Sequence, residues 1–231
     1  QPPTPTPLPA PVETLKSKWD EFGATLLKQA LSVVPGVNDS PIRLIDARFI
    51  VDLAHSGSGL IRRQDLPEKA FLSVDQLESM DTMDIKYRES TLRVIVVSHP
   101  WLQPDHPDPR GDNLRLLARV LQHYIDKVGG TFAVFLDFMS LHQKPRSDSA
   151  AQLFDKALHG LSEWYAHPKT IIFKITELPA DYPQGFSFTE GTSPNTADYF
   201  GRGWCFMESS VANLVKDGEC VLNISKFTGK T

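Results

Sequence analysis

The chain reads as an α/β protein: a mostly parallel sheet flanked by helices, with an N-terminal helical extension. Three observations predict this. Residues 92–99 (LRVIVVSH), 132–138 (FAVFLDF) and 170–176 (TIIFKIT) are apolar runs rich in Val, Ile and Phe, the pattern of strands covered on both faces. Between them lie segments whose apolar residues recur at helical spacing. The order strand, helix, strand, helix, strand implies right-handed crossovers, hence parallel strands with helices on both faces.

The elements follow in chain order. Residues 1–12 (QPPTPTPLPAPV) carry proline at almost every second position, which blocks helix and sheet pairing and favours polyproline II. They read as a linker or, as the lesser alternative, a ligand for an SH3-type groove. From residue 13 to 34, Leu15, Trp19, Phe22, Leu26, Leu27, Ala30 and Leu31 recur at helical spacing and the pattern stops at Pro35-Gly36. This predicts one amphipathic helix. Residues 42–54 are apolar enough to be buried but too short for pattern to separate strand from helix. After the Ser56-Gly57-Ser58-Gly59 break, Ser73 caps a short helix reaching Met80, with Gln76 at the capping-box position. The chain thus divides into a linker (1–12), a helical extension packing on the core (13–91) and the α/β domain (92–231).

Within that domain the first strand ends in a Pro-rich turn at residues 100–109. A helix follows, with Asp112 as its candidate cap, Leu114, Leu117, Val120, Leu121, Tyr124 and Ile125 on one face, and Gly129-Gly130 as its stop. Residues 150–165 repeat the helical pattern through Leu153, Ala157, Leu158, Leu161 and Trp164. The Pro-, Gly-, Ser- and Thr-rich stretch 179–201 is a long loop of the kind that often serves function. A helix from about residue 204 to 215 comes next, its run Trp204, Phe206, Met207, Val211 and Leu214 expected to face the core, and residues 219–224 (ECVLNI) supply a fourth parallel strand.

Composition bounds the function. With 231 residues and 41% hydrophobic content, the chain can bury one sizeable core. Its net charge of -4 and scattered Lys and Arg exclude a general nucleic-acid binder. Two cysteines, Cys205 and Cys220, are too few for a disulfide framework and read as reduced thiols, so a cytoplasmic location is expected. No apolar run approaches the length of a membrane span, so no membrane partner is expected.

In open parallel sheets, ligands bind beyond the carboxyl ends of the strands. That rule collects Ser98, His99 and Trp101 after the first strand, Asp137, Ser140, His142 and Gln143 after the second, Thr176 and Glu177 after the third, and Glu208 on the helix following the long loop. Glu208 leads because it is a carboxylate on a helix that also carries Trp204, and a carboxylate held beside an aromatic wall suits chemistry. Bland readings stand beside it: Trp204 and Trp164 as core aromatics, Asp137 as the cap of a turn. Ser98 and His99 are adjacent and point to opposite faces of an extended segment, which argues against a nucleophile–base pair. His99, Asp105, His106, Asp108 and His142 include metal-ligating types but lack a ligand spacing, so no metal is expected. Neither GxGxxG nor GxxxxGK[ST] follows the first strand.

The strand–helix order, together with Val94-Ile95-Val96-Val97-Ser98, residues 132–137 and 171–175, resembles the Toll/interleukin-1 receptor (TIR) domain in a divergent form, over roughly residues 93–224. The most specific likeness is Trp204-Cys205-Phe206-Met207-Glu208, similar to the plant-type Trp-Cys-x-x-Glu motif. The spacing of Val-Ser-His-Pro-Trp, Leu-Asp-Phe-Met-Ser-Leu-His-Gln and Gly-Trp-Cys-Phe-Met-Glu is also similar to fungal heterokaryon-incompatibility domains. The resemblance implies a flavodoxin-like fold and hydrolysis or cyclisation of NAD or NADP in defence or innate-immune signalling, with Glu208 catalytic and no further cofactor. Trp101 or Trp204 would then stack on a ring, Arg110 or Arg202 would hold the diphosphate, and Ser98, His99, Asp137, Ser140 and His142 would complete the substrate site. Two alternatives belong to other classes: a non-catalytic module that self-associates or binds other TIR-like domains, and a nucleoside deoxyribosyl transferase with a carboxylate nucleophile. Two departures bear on substrate geometry and assembly: the long loop at 179–203, and the proline-rich turn where the family carries a charged one.

Overall fold

The computed structural model describes residues 16–84 and 90–229; the Pro-rich linker, residues 1–12, lies outside the described residues. Its centre is a five-stranded sheet built from β1 (Ile45–Asp46), β4 (Val94–Ser98), β5 (Ala133–Phe135), β6 (Ile171–Lys174) and β7 (Val221–Asn223), in the order β1-β5-β4-β6-β7. A separate two-stranded ribbon joins β2 (Met83–Asp84) to β3 (Ser90–Thr91). The four main strands are parallel and β1 is an antiparallel edge strand on β5. Counting those four in chain order, the sequence across the sheet is second, first, third, fourth, which is the flavodoxin-like arrangement.

The helices cover both faces: α1 (Lys18–Glu21), α2 (Thr25–Leu31), α3 (Ala47–His55), α4 (Val74–Ser79), α5 (Asp112–Val128), α6 (Asp137–Ser140), α7 (Asp148–His159), α8 (Leu161–Ala166) and α9 (Gly203–Val215). Strand β4 is buried along its whole length, and its side chains divide by the period of two. Ile95 and Val97 enter the core shared with α3 and α5, while Val94 and Val96 enter the core shared with α2 and α8. Ser98 belongs to the second set, so its hydroxyl emerges on the α8 side at the carboxyl end of the central strand.

Several local expectations are corrected. Of the helix read over residues 13–34, residues 13–15 lie outside the described residues and the rest holds two short helices, because the chain turns at Gly23 with φ of 72°, a left-handed conformation in which glycine is unstrained. Leu26 is exposed as a result. Residues 42–54 hold both alternatives: two residues pair as β1, then Asp46 accepts a hydrogen bond from the Arg48 N–H and starts α3. The cap of α5 is not Asp112, which is its first residue. Gly111 takes the N-cap position at φ 75°, and the Asp108 carboxylate receives the Leu114 N–H at 2.8 Å. The helix read at residues 150–165 breaks at Gly160 into α7 and α8. Helix α4 carries the full capping box from Ser73 and Gln76.

The largest correction concerns α9. Its expected core-facing run is its outer side: Trp204 is 62% exposed and Leu214 83%, with Phe206 exposed as well and Met207 and Val211 only partly covered. The buried positions are Cys205, Glu208, Ser209 and Ala212, spaced i, i+3, i+4, i+7. Small and polar residues face inward because the strand end beneath them presents the Ser98 and Lys174 side chains, which bond Glu208 and Ser209.

Candidate active site

A cavity of about 820 Å³ opens where the loops after β4 and β5 meet the start of α9, a volume within the roughly 300–1,000 Å³ of ligand pockets. His99, Trp101, Asp137, Arg202, Trp204 and Glu208 are among the residues that line it. The position is the one topology favours, beyond the carboxyl end of the central strand where crossovers leave to opposite faces of the sheet.

Glu208 is 8% exposed and reaches the cavity from α9. The Ser98 hydroxyl donates to Glu208 Oε2 at 2.5 Å and lies 2.5 Å from the Tyr199 hydroxyl. The Tyr165 hydroxyl, at the end of α8, donates to the Val97 carbonyl at 3.3 Å and lies close enough to the Glu208 carboxyl to favour its anion. The carboxyl group therefore has hydroxyl neighbours and, among the described residues, no ion pair. Burial pushes the Glu208 pKa up to about 7; the Ser98 hydrogen bond opposes that shift and the Asp137 charge adds to it. Glu208 consequently changes charge near neutral pH. The Cys205 thiol, pushed up to about 12 by burial and by the Glu208 charge, stays protonated at neutral pH and is no nucleophile there.

Asp137 is the opposite case. Its Oδ1 lies 3.1 Å from His99 Nε2 and accepts the Phe138 N–H at 2.6 Å, and its Oδ2 accepts the Trp101 indole N–H at 2.7 Å. Burial alone would raise its pKa, but the His99 charge and these hydrogen bonds outweigh it and hold the carboxyl below its usual range. For His99 burial works downward, and the Asp137 charge and hydrogen bond outweigh it, so its pKa rises. Two carboxyl groups on one cavity are thus driven apart, one ionised throughout and one poised near 7, the pattern that assigns acid–base roles.

The sequence-derived candidates divide. His99, Trp101, Asp137, Arg202, Trp204 and Glu208 line the cavity, and Ser98 supports Glu208 from behind. Ser140, His142 and Arg110 are not on its wall. The Ser140 hydroxyl accepts the Leu136 N–H within its own turn, His142 bonds Asp39 at 2.9 Å, and Arg110 pairs with Asp112 and Asp181 on the outer surface. Arg202 is committed to structure: Nε donates to the Ala197 carbonyl at 2.9 Å, and the two terminal nitrogens donate to the Trp101 and Asn195 carbonyls. It staples the long loop to the β4 turn, and Tyr182 reinforces the join by donating to the Leu102 carbonyl at 3.0 Å.

Sequence reasoning missed Tyr165 and Tyr199, the hydroxyls around Glu208, and part of the cavity lining. Leu141, Phe154, Leu158 and Leu161 add apolar surface to that lining, and Lys144 and Arg146 add positive charge. Tyr165 carried a signal, as the aromatic next to Trp164 in a helical pattern; Tyr199, inside a loop without periodicity, carried none. Among the described residues no group of three or more His, Cys, Asp and Glu is placed to hold a metal ion, and no helix is long and apolar enough to cross a membrane. No protein-family model, curated protein or solved structure matches the chain.

Proposed function

We propose that the protein is a divergent TIR-like enzyme that cleaves the nicotinamide–ribose bond of NAD or NADP in this cavity, with Glu208 as the catalytic residue. The observation that carries this reading is the buried Glu208 carboxyl group, which is in no ion pair among the described residues, on a cavity that Trp101 and Trp204 also line. Cleavage passes through an oxocarbenium-like state, as glycoside cleavage does. The C–N bond breaks, its electron pair stays on the nicotinamide nitrogen, and positive charge grows on the ribose. An ionised Glu208 stabilises that charge, and water attacks the same carbon and releases its proton. Nicotinamide leaves as a neutral ring, so no strong acid is needed. Attack by a ring nitrogen of the same substrate instead of water would give a cyclic product.

A second reading is a non-catalytic TIR-like interaction module. The exposed apolar side of α9, with Phe206, Leu214 and Val215 open to solvent, favours it. Incubation of the protein with NAD and with NADP, with nicotinamide followed by chromatography, separates the two. The enzyme reading expects release by the wild type and loss of at least about three orders of magnitude in Glu208→Gln, the scale seen when a preorganised charge-stabilising group is removed. Absence of release at all protein concentrations supports the module.

A further inference from the structure

Four cations are candidates for an anionic ligand, the two that sequence reasoning named and two more on the cavity wall. Arg110 lies on the outer surface, where Asp181 and Asp112 neutralise it, and Arg202 spends its donors on three backbone carbonyls. Lys144 and Arg146, on the loop after β5, line the cavity, and among the described residues neither is in an ion pair. Arg146 is also oriented. Its Nε donates to the His142 carbonyl at 2.6 Å and its guanidinium lies 3.5 Å from the centre of the Phe154 ring. That pose fixes the plane of the fork and leaves its terminal nitrogens available, the arrangement suited to bidentate contact with a phosphate.

We infer that Lys144 and Arg146 form the subsite for the phosphate groups of a nucleotide whose reacting ribose sits at Glu208. The inference rests on the proposed reaction for its orientation but not for its anion chemistry. Leu141, Phe154, Leu158 and Leu161 line the same cavity and give it apolar surface for an uncharged ring. Asp105, contributed to the cavity by the β4 turn, repels phosphate, so the anion is held by the cations of the β5 loop.

The test compares wild type, Lys144→Ala, Arg146→Ala and Arg146→Lys with two substrates, NAD and nicotinamide riboside, which lacks phosphate. Calorimetric titration with ADP-ribose runs in parallel on the same proteins. Lys144 is exposed, so its substitution leaves the fold intact; Arg146→Lys keeps the charge and the packing on Phe154. The expected result is a KM for NAD at least about tenfold higher in each alanine variant, with kcat little changed, nicotinamide riboside turnover unaffected and partial rescue by Arg146→Lys. ADP-ribose affinity should fall by the same factor. An unchanged KM for NAD in a protein that does release nicotinamide overturns the subsite and leaves the reaction standing. If no protein releases nicotinamide, loss of ADP-ribose binding in the alanine variants upholds the subsite without the reaction, and unchanged binding overturns it.

Discussion

Helices α5 and α9 pack on the same sheet and bury opposite kinds of side chain. On α5 the inward stripe is Leu114, Leu117, Ala118 and Leu121, and Arg115 and Arg119 face solvent. On α9 the inward stripe is Cys205, Glu208, Ser209 and Ala212, while Trp204, Phe206, Leu214 and Val215 face outward. The first obeys the rule that apolar residues cover the core, and it holds the scaffold together. The second breaks the rule where a buried carboxyl group meets a cavity. Burying a polar group costs stability unless it is paired, so a helix that turns one inward and leaves tryptophan outside spends stability on a site.

The sharpest break in the comparison is chemical and is expected at Glu208. Because its folded-state pKa is raised, the stability it contributes is complete below its ordinary value near 4.5 and is lost as pH rises through about 7. Glu208→Gln removes the titration. The variant should therefore gain on the wild type by on the order of 3 kcal/mol at pH 8, and by little at pH 4.5, in denaturant melts at the two pH values. An advantage that does not grow with pH would show that Glu208 is a structural carboxyl group of ordinary pKa.

Next in size is the scaffold half. Leu121→Ala empties a fully buried position on α5 and should cost about 2–5 kcal/mol, read as a lower denaturant midpoint with an unchanged slope. Ser98→Ala is subtler. On the proposed reaction, removing the hydroxyl that favours the Glu208 anion should move the pH dependence of nicotinamide release to higher pH, with the midpoint of the rate profile as its readout. Smallest is Leu214→Ser on the outer face of α9, expected within about 0.5 kcal/mol of wild type. A loss approaching that of Leu121→Ala would mean that the outer face is covered in solution.

The same comparison shows what the sequence could disclose. The strands were legible because β4, β5 and β6 are dense in β-branched and aromatic residues, and their alternation with helical segments settles the parallel order. The place of Glu208 beyond the strand ends was legible too. Which way α9 faces was not, since the large apolar side chains Trp204 and Leu214 lie on one side and the opposite stripe is small and interrupted by Glu208 and Ser209. The loop after β5 misled for a related reason. Ser140 and His142 lie nearest in sequence to the strand end but bond backward, to Leu136 and Asp39, whereas Lys144 and Arg146, further along, reach the cavity. Tyr199 is placed by the Arg202 staple, a set of side-chain-to-carbonyl bonds that no periodicity encodes.

The most direct test of the central claim is the pH profile of nicotinamide release from NAD by the wild type, measured between pH 5 and 9 with Glu208→Gln alongside. A rate that rises with pH through a midpoint near 7, and that vanishes in the variant, is the result predicted for a catalytic Glu208 acting as its anion. Release that persists in Glu208→Gln, or a wild-type rate that is flat across that range, would contradict it.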